Sequence, residues 1–118
     1  MDTRKSFKIA LSRFENSYYD IEDEDKLIDY LIAFEALFTK GKKERSKSKV
    51  ISVECAKLLG IDHKEKEEIR EKLSSAYTIR NDIIHGEDFE EELDIELFFN
   101  DFVEEIEELL RISLRKLV

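Results

Sequence analysis

A chain of 118 residues with 42% apolar and 42% charged side chains holds enough hydrophobic mass for one core and too much for disorder, so residues 1–118 are read as a single domain. No proline, three glycines and a lone cysteine exclude a disulfide framework and a turn-rich β fold. The net charge of −9 excludes indiscriminate binding to polyanions.

A first amphipathic helix is predicted from Thr3 to Tyr18, where Phe7, Ala10, Leu11, Phe14 and Tyr18 recur at helical spacing. The acidic run Asp20 to Asp25 interrupts that pattern and supplies N-cap candidates and dipole-favoured acids for a second helix ending near Thr39, before Gly41. Its stripe is Leu27, Ile28, Leu31, Phe34 and Phe38. Lys40 to Lys49 then holds six bases and one acid, a net +5 that leaves −14 on the rest of the chain. That segment is either a solubilising loop or a phosphate-contacting edge beside a cleft. Ser46 or Ser48 is the N-cap candidate of a third helix, which carries Cys55 as a buried thiol with Ile51, Leu58 and Leu59 and stops at Gly60, read as a left-handed C′ residue. Asp62-His63-Lys64-Glu65 resembles a capping box, with His63 at the helix-terminal surface. The fourth helix it opens has the stripe Ile69, Leu73, Ala76, Ile83 and Ile84 and ends at Gly86. After a polar connector from Glu87 to Glu92, a fifth helix from about Asp94 sets Phe99, Phe102, Val103, Ile106, Leu110 and Leu117 against Glu104, Glu105, Glu107 and Glu108. The fold class is therefore all-α, a compact up-and-down bundle of about five helices.

Two side chains break the apolar pattern. Arg80 points into the stripe of the fourth helix, between Leu73, Ala76 and Ile83, and Glu35 intrudes on that of the second near Ile28 and Leu31. A charge so placed must be paired or must reach a cleft, and Glu35 is the candidate partner of Arg80. His85, directly before Gly86, falls at a helix C-terminus, where the dipole favours a cationic ring; that suits both a capping residue and an acid–base catalyst. Thr78, Asn81, Asp82 and His85 form a polar stripe on the other side of the helix, and Tyr77, which flanks the apolar stripe, is read as a core residue, with stacking on a base as the alternative.

Arg80-Asn81-Asp82-Ile83-Ile84-His85 resembles the Arg-x4-His motif of HEPN domains, with a polar residue directly after the arginine. The likeness extends over Asp29-Tyr30-Leu31-Ile32-Ala33-Phe34-Glu35-Ala36-Leu37-Phe38, the basic segment, Ala56-Lys57-Leu58-Leu59-Gly60 and Tyr77 to Gly86, in the order and spacing of the Apea-like branch. About half the chain, from Asp25 to Gly86, carries it. The resemblance implies a helical homodimer acting as a metal-independent endoribonuclease in defence, toxin–antitoxin or RNA-processing systems, with no cofactor and with RNA and a cognate antitoxin or other partner protein as ligands. It implies that His85 is the acid–base residue, Arg80 neutralises the phosphorane, Asn81 holds the imidazole or a phosphate oxygen, and Glu35 fixes Arg80. Lys42, Lys43, Arg45, Lys47 and Lys49 would contact RNA. Related modules bind nucleotides or partner proteins without cutting, which is the alternative function. Toxins of the superfamily that carry a tyrosine two residues beyond the motif histidine differ from this chain, where Gly86-Glu87 follows. Five residues of helix set Arg80 and His85 roughly 140° apart, so the helix end unwinds, the arginine bends round, or two copies share a composite cleft that includes the fourth helix. No apolar run approaches the ~20 residues of a membrane span and no signal core follows Met1, so a cytoplasmic protein without membrane contact is expected.

Overall fold

Apolar side chains recurring at three and four residues bury one face of a helix, and each stretch with that pattern has folded as one. The computed structural model describes residues 3–39, 46–87 and 98–118. Its helices are α1 (Thr3–Ser17), α2 (Asp23–Phe38), α3 (Lys47–Leu59), α4 (His63–His85) and α5 (Phe99–Leu117), and there is no strand among the described residues. The protein is an all-α bundle. Consecutive helices form the two most intimate pairs, α1 with α2 and α3 with α4, and α5 returns mainly across α2. One core is fed by all five, with Phe34, Leu27, Leu31, Ile51, Leu73, Ile79, Ile106 and Leu110 sealed from solvent. Each such side chain contributes on the order of 1.5–3 kcal/mol of burial. No described helix is long and apolar enough to cross a membrane.

Local chemistry sets most of the boundaries. The Ser46 hydroxyl accepts the Lys49 amide at 3.3 Å to open α3, and Asp62 Oδ1 accepts the Glu65 amide at 2.8 Å to open α4. Asp23, Glu24 and Asp25 occupy the first turn of α2 as the dipole favours, although its N-cap is Glu22, whose side chain makes no capping bond. Cys55 is sealed in the core beside Ser113, 3.7 Å away, and burial pushes its thiol up to about 11.

Several expectations are corrected. Gly60 is extended, with φ −78°, rather than left-handed. A Cβ there would strike Lys66 Cγ and lie 2.8 Å from the Ala56 carbonyl, so close approach of α4 to the end of α3 is what requires a glycine. On α1 Leu11 is exposed, and Tyr18, in the turn just beyond it, is 65% exposed, while Ser6 and Ser17 are buried with Ala10 and Phe14. Small hydroxylated residues let α1 lie close to its neighbours and rotate the face away from its larger apolar side chains. Ile84 is 55% exposed and Ile79, absent from the predicted stripe, is fully buried in its place. Leu117 is exposed near the chain's end. Glu107 is half-buried rather than part of a solvated face, taking the Tyr30 hydroxyl at 3.2 Å and Arg111 at 2.6 Å. The predicted start of the last helix near Asp94 lies outside the described residues.

Candidate active site at the end of α4

The three-residue connection between α3 and α4 makes them antiparallel neighbours of unequal length, 13 and 23 residues. Two contacts fix their offset. The Tyr77 hydroxyl donates to Glu35 Oε1 at 3.1 Å, and Lys47 Nζ lies 3.8 Å from Glu35 Oε2. The first residue of α3 and Tyr77 of α4 thus meet on one carboxylate of α2, and α4 continues beyond the start of α3. That continuation carries Arg80, Asn81 and His85. The helix remains regular through His85, then closes as Gly86, at φ 71°, donates to the Ile83 carbonyl at 3.2 Å and the Glu87 amide to that of Asp82 at 2.7 Å. Unwinding at the histidine does not occur, so the roughly 140° between Arg80 and His85 stands within one chain.

Arg80 is half-buried on the inner edge of α4, and its Nε is buried with no hydrogen-bond partner among the described residues. Leaving a buried donor unsatisfied costs about 1–3 kcal/mol. The expected Glu35–Arg80 ion pair is not formed, because Tyr77 and Lys47 take the two oxygens of Glu35. Among the described residues no carboxylate forms an ion pair with Arg80. Its charge nevertheless reaches Tyr77. Burial above all, and then the charge and hydrogen bond of Glu35, push that phenol far above its usual value, with Arg80 opposing them. Tyr77 is consequently a permanent donor, buried in the core rather than open to a base.

Asn81 and His85 are exposed, as is Thr78 on the same line of the helix. Of the basic segment, Lys47 is tied to Glu35 and Lys49 is exposed one turn into α3. Lys42, Lys43 and Arg45 lie outside the described residues. The structure therefore brings Glu35 and Lys47 together at the level of Tyr77, with Arg80 adjacent, and sets Asn81 and His85 on a different side of α4. Sequence reasoning missed Tyr77 as the partner of Glu35. A buried tyrosine needs an acceptor and a carboxylate in an apolar stripe needs donors, and those two requirements together were the available signal. Among the described residues, no three His, Cys, Asp or Glu side chains converge as a metal site would require.

No family model matches the chain, nor does any curated protein or any solved structure.

Proposed function

We propose that the chain is a HEPN-type endoribonuclease that cleaves single-stranded RNA without a metal, as a homodimer. The observation that carries this reading is Arg80, a guanidinium held against the core with an unsatisfied Nε and no ion pair among the described residues, on the helix that ends in an exposed histidine. A bundle with no use for that cation gains stability by replacing it with an apolar side chain. In the reaction the ribose O2′ attacks the adjacent phosphorus as the P–O5′ bond breaks, leaving a 2′,3′-cyclic phosphate and a 5′-hydroxyl. One proton leaves O2′ and one reaches O5′; His85 takes the first and delivers it to the second. Arg80 lowers the barrier by facing the charge that builds on the phosphorane oxygens, and Asn81 orients the imidazole or a phosphate oxygen. Lys47 and Lys49, with Lys42, Lys43 and Arg45, neutralise flanking phosphates. Glu35 acts through its neighbours, fixing Lys47 and Tyr77 beside the arginine.

The purified chain is expected to cut single-stranded RNA in excess EDTA. His85→Ala and Arg80→Ala are expected to lower the rate by about 10²–10⁴-fold with an unchanged helical circular-dichroism spectrum. Equal rates in the parent and both variants overturn the assignment. A second reading, a dimerising or partner-docking module that cuts nothing, is favoured by the Glu35–Tyr77–Lys47 set, which ties α2, α3 and α4 together through their own side chains. It expects tight capture of a cognate protein partner that neither substitution disturbs.

A further inference from the structure

The start of α3 and the middle of α4 enclose a cleft of about 390 Å³, lined among others by Ser46, Ser48, Lys49, Arg70, Glu71 and Ser74. That volume lies at the small end of the roughly 300–1,000 Å³ typical of small-molecule sites. Its chemistry is selective. Hydroxyls both donate and accept, and among the described lining residues the two cations Lys49 and Arg70 are balanced by the two acids Glu67 and Glu71. A neutral lining of this kind does not favour a phosphate, and the α3 N-terminus offers it little, since Ser46 already occupies the Lys49 amide. Val53 is the one aliphatic residue among the described lining, so an apolar occupant is also poorly served. What fits is a neutral group rich in donors and acceptors, such as a nucleobase edge with its ribose hydroxyls. Arg70 adds a flat surface: Glu67 holds its Nη1 at 2.7 Å, fixing a guanidinium plane on which a base can stack.

Position connects this cleft to the motif. Ser74, Thr78, Asn81 and His85 are all exposed and follow one another at four, three and four residues, a straight line along one face of α4. Eleven residues of helix separate the cleft from His85 by about 16 Å, a length that an extended strand covers in a few nucleotides.

We propose that the α3–α4 cleft is a nucleoside subsite, holding the base and ribose of a single-stranded RNA a few nucleotides from the bond broken at His85. This rests on the nuclease reading for its direction along α4, and its test separates the two. Binding of a labelled octanucleotide RNA and of a dinucleotide is measured by fluorescence anisotropy with His85→Ala protein, in which no cutting confuses the reading. Adding Ser74→Phe, which fills the cleft from an exposed position, weakens octanucleotide binding about tenfold and leaves the dinucleotide, too short to span the distance, unaffected. Arg70→Ala gives a loss of the same kind and serves as the second variant if the phenylalanine disturbs the melting curve. Octanucleotide binding equal to that of the parent in both variants overturns the subsite, whatever the cleavage assay shows. Loss of binding in a protein whose parent cuts nothing leaves the subsite standing and removes only the nuclease. Free nucleosides that displace the octanucleotide at equal concentration identify a pocket for the monomer and overturn the strand proposal.

Discussion

In the turn between α1 and α2, the carboxyl of Asp20 lies against that of Asp29. Hydrogen bonding to Asp29, then desolvation and the charges of Asp29 and Asp25, push its carboxyl up to about 6, with Lys26 opposing. The folded chain therefore binds this proton more tightly than the unfolded chain does. Stability contributed at this turn is present at low pH and is lost as pH rises through about 6. Asp20→Asn supplies a permanent donor to Asp29, so the variant is expected to melt above the parent at pH 7, by less at pH 5, and level with it only below the unfolded carboxyl value of 3.8. A variant no more stable at neutral pH contradicts the shared-proton geometry. Residues of this kind mark how far sequence reading extends. The intrusion of Arg80 and Glu35 into apolar stripes was legible from periodicity alone, because angular position on a helix follows from residue number. Their separation was not. Which donors reach Glu35 depends on the rotation and axial offset of three helices, and spacing within one helix is silent on both.

Two glycines at helix ends separate local from tertiary causes at the level of the element. Gly86 has φ 71° and no described atom near where a Cβ would stand, whereas Gly60 has an ordinary φ and neighbours that leave no room for a methyl group. Gly86→Ala is expected to cost about 1–2 kcal/mol through backbone conformation, and Gly86→Asn to recover part of that loss. Gly60→Ala is expected to cost about 1–3 kcal/mol through crowding, with Gly60→Asn worse still. Urea midpoints of the four variants decide the matter, and the same rank order at both sites would refute the distinction. Caps belong to the local class. Ser46, Asp62 and Gly86 could be identified because each bonds within a few residues of its own position. The burial of α1 belongs to the other class: its inward face is chosen by how closely Ser6, Ala10 and Ser17 admit neighbouring helices, which hydrophobicity weights in the opposite sense.

For the whole molecule, the regular end of α4 carries a stoichiometric expectation. Arg80 and His85 diverge on one chain, so a cleft that uses both draws them from two copies related by a two-fold axis. Arg80→Ala and His85→Ala proteins, each inactive, should then regain about a quarter of wild-type cleavage when unfolded together and refolded in equal amounts, because half the dimers are mixed and each has one whole cleft. No recovery, in a sample shown by native mass to contain mixed dimers, places both groups in one subunit. The five-helix architecture was legible because long periodic segments determine it, whereas assembly depends on surfaces such as the exposed Ile84 that no intrachain pattern singles out.

Because α4 outruns α3, the Arg80–His85 motif stands on a ledge rather than within the packed wall of the bundle. Ile79 and Ile83 anchor that ledge to the core, while Asn81 and His85 on it stay exposed. On the nuclease reading, substrate choice and solidity are thereby uncoupled: changes in the length or charge of the segment leading into Lys47 are expected to alter RNA binding and leave the melting temperature unchanged.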